Sequence, residues 1–112
     1  MMLMAPSSAG AQPYSESMID CASVYQNAAQ WVRTDESADK MMFAAIQWAD
    51  AAVAQSYSEG NPVTSDAIWQ KIDGKTEKWE AKGSAVFFSQ DFRDWARYCR
   101  KFAKDRGVSV SP

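Results

Sequence analysis

Two cysteines, Cys21 and Cys99, stand near opposite ends of a chain of 112 residues that contains no others. Upstream lies Ala9-Gly10-Ala11, small residues at the positions a signal peptidase reads. A lone cysteine pair behind an export remnant reads as one long-range disulfide formed in an oxidising compartment. Whatever the chain folds into must therefore bring residue 21 beside residue 99.

Residues 1–11 read as the back part of a secretory signal. The apolar Met1-Met2-Leu3-Met4 gives way to Pro6 and then to small residues, so Gln12 is the expected mature start. Residues 12–107 form a single expected domain, and residues 108–112 an expected flexible tail. No stretch approaches the ~20 apolar residues of a membrane-spanning helix. The expected location is periplasmic or secreted.

Apolar spacing divides the domain into four helical stretches, with no strand-like alternation competing. In the first, about Ser15 to Arg33, Tyr14, Met18, Cys21, Tyr25, Ala28 and Val32 recur at steps of three and four. Thr34 is the expected N-cap of the second, which runs to Ser58 before Gly60-Asn61-Pro62. Its inward stripe is small: Ala38, Met42, Ala45, Ala49, Ala52 and Ser56. Ile46, Val53 and Tyr57 widen that face on one flank, Met41 and Trp48 on the other. The third starts after Thr64 or Ser65 and ends near Gly83, with Ile68, Ile72, Thr76 and Trp79 inward and Gly74 opposite. The fourth, from Ser84 or Ser89 to Arg106, turns inward Phe88, Phe92, Trp95, Cys99 and Phe102, and stops at Gly107.

Cys21 lies about two turns into the first helix and Cys99 about two turns before the end of the last, both on inward seams. Pattern and linkage agree on one all-α architecture: an up-down-up-down four-helix bundle stapled by a single disulfide between helices 1 and 4.

The chemistry available is narrow. The chain has no histidine, which removes the commonest general base and transition-metal ligand. Cysteines committed to a disulfide offer neither a zinc site nor a thiol nucleophile. No glycine-rich phosphate loop, haem-attachment motif or calcium loop is present. The pairs Asp91/Asp94 and Glu77/Glu80 read as solvated charge. No catalytic residue, metal or cofactor is expected.

Charge is unevenly spread. Residues 1–70 carry two bases against eight acids, and residues 71–112 ten bases against six acids. Lys71, Lys75, Lys78 and Lys82 form one basic stripe, and Arg93, Arg97, Arg100 and Lys104 another. Two accounts compete: acidic and basic helices packed side by side, or a basic face for an acidic partner. The chain's overall acidity and its export signal oppose nucleic acid as that partner.

Ile19 and Phe43 fall farthest from the inward stripes of their helices, and Trp31 and Trp48 lie at stripe edges. Together they are expected to form an exposed patch that binds another protein. In class the chain resembles the small periplasmic acid-stress chaperones: exported, helical, about a hundred residues, one disulfide. Without histidine, only carboxylates remain as a pH trigger. The expectation is an exported, non-enzymatic protein-interaction module, such as an inhibitor, immunity protein, chaperone or accessory subunit. The alternative is a carrier holding a small apolar ligand between aromatic-rich helices.

Overall fold

The computed structural model describes residues 12–112; the signal-like segment 1–11 lies outside them. Four α-helices follow in order: α1 (Tyr14–Trp31), α2 (Asp35–Ser58), α3 (Ser65–Glu80) and α4 (Gln90–Arg106), with a short 3₁₀ turn, Ser84–Phe88, before the last. Among the described residues there is no strand.

Local chemistry sets the helix ends. The Thr34, Thr64 and Ser89 hydroxyls each accept the backbone N–H three residues on, satisfying one of the free donors at the starts of α2, α3 and α4. Gly107 closes α4 at φ 69°, a left-handed conformation that costs a side-chain-bearing residue energy.

Helix directions follow from which residues meet. Ser15 hydrogen-bonds Glu59, so α1 and α2 run antiparallel. Glu16 pairs with Lys71, Ser23 accepts from Trp79, and Gln30 donates to Glu80, so α1 and α3 run parallel. Tyr14 packs on Phe102 and Cys21 bonds Cys99, so α4 runs antiparallel to α1. The chain therefore goes up, down, up, down. The disulfide joins α1 to α4 across 78 residues, with Cα atoms 5.6 Å apart and both sulfurs buried.

Within that topology α1 is the hub, not a corner: it packs against α2, α3 and α4. Its buried residues are Ser17, Met18, Ile19, Cys21, Ala22, Ser23, Val24 and Asn27. At 100° per residue these positions go all the way round the helix. This corrects the expected exposure of Ile19, which is 1% accessible. The face opposite the Cys21 seam is a second buried face, because α1 packs against three helices.

The inward stripe of α2 is buried at Ala45, Ala49, Ala52 and Ser56, but it extends on the Ala44 and Trp48 side. Trp48 is wholly buried, which corrects its expected place in a surface patch. Its ring stacks on Phe102, centroids 5.4 Å apart, bridging α2 to α4. On the other flank Ile46 is 43% and Tyr57 63% exposed, while Val53 packs against the core.

In α4, Phe92, Trp95, Cys99 and Phe102 form the expected seam. Phe88 does not join them and is 78% exposed. It belongs to the 3₁₀ turn before the Ser89 cap, so helical spacing does not govern its direction. Of the segment 108–112, expected to be flexible, Val108 and Val110 pack against the core.

Candidate functional site

The largest apolar concavity lies where α2 and α4 flank α1 without closing on each other. Val24, Tyr25 and Ala28 of α1 form its floor. Lys40, Met41 and Ala44 of α2 form one wall, and Phe92, Ala96 and Arg100 of α4 the other. Phe87 and the segment Val110–Pro112 border the rest. The groove has a volume of about 800 Å³, within the roughly 300–1,000 Å³ usual for small-molecule sites.

Three alanines line the groove. Ala28, Ala44 and Ala96 come from three different helices, and each presents a single methyl where a larger residue would fill the gap. One turn beyond Ala44, the Trp48–Phe102 stack ties α2 to α4. Phe92 makes edge-on contacts with Phe87 and Trp79, at 4.9 and 5.1 Å between ring centroids.

The groove's charged side chains are few and of one sign. No Asp or Glu side chain lines it, while Lys40 and Arg100 both do. Lys40 pairs with Glu36 at 3.6 Å, an exposed contact worth little. Arg100 makes no salt bridge among the described residues. Burial pushes the Tyr25 hydroxyl pKa up, and the nearby Arg100 charge pulls it part of the way back. Tyr25 is therefore a neutral O–H donor at ordinary pH.

The expected protein-binding patch is not assembled. Ile19 and Trp48 are core residues, Trp31 is 41% exposed and donates to Asn27 Oδ1, and Phe43 is half-buried on α2. The apolar residues that α2 does expose are Ile46 and Tyr57.

The two basic stripes have different fates. Lys71 and Lys75 turn towards α1, where Lys75 meets Asp20 at 2.8 Å and Glu16 at 3.3 Å, and Lys71 meets Glu16 at 3.8 Å. Partial burial would lower the Lys75 pKa, but the hydrogen bond and charge of Asp20, with Glu16 behind them, raise it overall. Lys82 lies over the Trp79 ring and 3.9 Å from Asp91. Much of the first stripe thus binds α3 to its acidic neighbours, the side-by-side packing that the charge distribution suggested. Lys78 is exposed. On α4, Arg93, Arg97, Arg100 and Lys104 are exposed and form no salt bridge among the described residues. Arg93 donates instead to the Phe88 carbonyl.

Among the described residues no cluster of three or more metal-ligating side chains exists, and no helix is long and apolar enough to cross a membrane. No protein-family model, curated protein or solved structure matches the chain.

Proposed function

We propose that the protein is an exported, non-enzymatic carrier that holds a small apolar ligand in the groove between α1, α2 and α4. The observation that carries this reading is the groove itself: an apolar floor and walls, a volume fit for one small molecule, and a few convergent polar groups. Export is supported by the Ala9-Gly10-Ala11 segment and by the disulfide, which an oxidising compartment preserves. The non-enzymatic character is supported by the lack of histidine and by the commitment of both thiols to the disulfide.

Titration with the neutral fluorophore N-phenyl-1-naphthylamine tests the carrier reading. Saturable binding at one site is expected, with strong loss in Ala96→Trp, whose indole would occupy the groove. Undiminished binding by folded Ala96→Trp would refute it.

A second reading, a protein-interaction module, is favoured by the exposed Ile46 and Tyr57 on the outer face of α2. Under it, a protein captured from envelope extract would be lost on Ile46→Ser/Tyr57→Ser and retained on Ala96→Trp.

A further inference from the structure

Resting on the carrier reading, we infer that the ligand is a single-chain amphipathic anion. It is an alkyl carboxylate whose chain lies along the groove and whose head meets Arg100 and the Tyr25 hydroxyl. The apolar surface of Val24, Ala28, Ala44 and Phe92 suits an alkyl chain and offers it no hydrogen bond. The only charges along the lining side chains are positive, so an anionic head meets no repulsion from a neighbouring Asp or Glu. Arg100 presents a planar fork of donors matched to a carboxylate, and unlike Lys40 it has no acidic partner to displace.

The wider field points the same way. Arg100 belongs both to the groove and to the exposed stripe of Arg93, Arg97 and Lys104. That stripe makes the groove's α4 edge electropositive, which concentrates anions there and speeds their encounter. A neutral or cationic apolar ligand would gain nothing from this arrangement.

Displacement of N-phenyl-1-naphthylamine by decanoate, 1-decanol and decyltrimethylammonium separates charge from chain. Decanoate is expected to bind at least tenfold more tightly than 1-decanol, and the cation most weakly. Arg100→Gln should weaken decanoate about tenfold and leave 1-decanol unchanged. Tyr25→Phe, which keeps the ring, reads the same head contact independently and should weaken decanoate alone by a few-fold. Equal binding of acid and alcohol, with no response to either substitution, would overturn the anion inference while the carrier reading stands. Failure of all three probes to displace the fluorophore, with Ala96→Trp binding it as wild type does, would overturn both.

Discussion

Breaking the Cys21–Cys99 bond should bring this domain close to its folding threshold. The bond closes a loop of 78 residues, and both sulfurs are fully buried. In the chain-entropy relation, a loop of that length restricts the unfolded chain enough to contribute about 4.5 kcal/mol at 25 °C. Single domains have about 5–15 kcal/mol in total, so the bond accounts for roughly 30% or more of the balance. Reduction of the wild-type protein isolates the effect, because no side-chain atom is removed. Urea unfolding followed by tryptophan fluorescence, with and without reductant, should show a loss of roughly 4–5 kcal/mol. The dependence on urea should steepen, since an uncrosslinked unfolded chain expands and exposes more surface. A loss below about 1 kcal/mol would refute the reasoning. It would mean that contacts such as Tyr14–Phe102 and Trp48–Phe102 already hold α4 in place, or that the unfolded chain keeps 21 and 99 together.

Three further perturbations test the packing. Gly74 is exposed within α3, and a Cβ added there would meet nothing within 4 Å, so Gly74→Ala should stabilise the protein by about 1 kcal/mol and raise Tm by roughly 4–8 °C in a thermal melt. Ile19→Ala should cost about 2–5 kcal/mol in urea unfolding because Ile19 is wholly enclosed, while Phe43→Ala, at a half-buried site, should cost clearly less. The Lys75 pKa is raised above its ordinary 10.5, so the stabilisation from Asp20 and Glu16 is fully present below that value and is lost as pH rises through the raised pKa. The stability difference between wild type and Lys75→Met should therefore be flat at neutral pH and shrink in strong alkali.

The parts of the fold that were legible in the sequence are those set by neighbours in the chain. Thr34 as a cap and Gly107 as a stop depend on a few residues of local backbone chemistry. The disulfide was legible because only one pairing was possible. The rotation of α1 was not. A single apolar stripe presupposes a broad polar face opposite it, whereas the buried positions of α1 go round the helix. Its Ser23 is buried because Trp79, 56 positions away, supplies a hydrogen bond that no local pattern reveals. One clue was present: between Tyr14 and Trp31 the only charged residues are Glu16 and Asp20, too few for an ordinary surface helix. Phe88 escapes the helical pattern because it lies in a 3₁₀ turn before Ser89, where the α-helical period does not hold. The groove was hidden for another reason. It lies between residues such as Ala28, Ala44 and Ala96, which read in their own helices as ordinary packing positions, and it exists only once three helices are set in place.

Methyl-resolved NMR during a decanoate titration tests the central claim most directly. If the groove between α1, α2 and α4 is the binding site, the methyl signals of Ala28, Met41, Ala44 and Ala96 should shift together and saturate, while those of Ile46 on the outer face of α2 stay fixed. Saturating shifts at Ile46, with the three alanines and Met41 unmoved, would contradict the account and place the site on the outer face of α2.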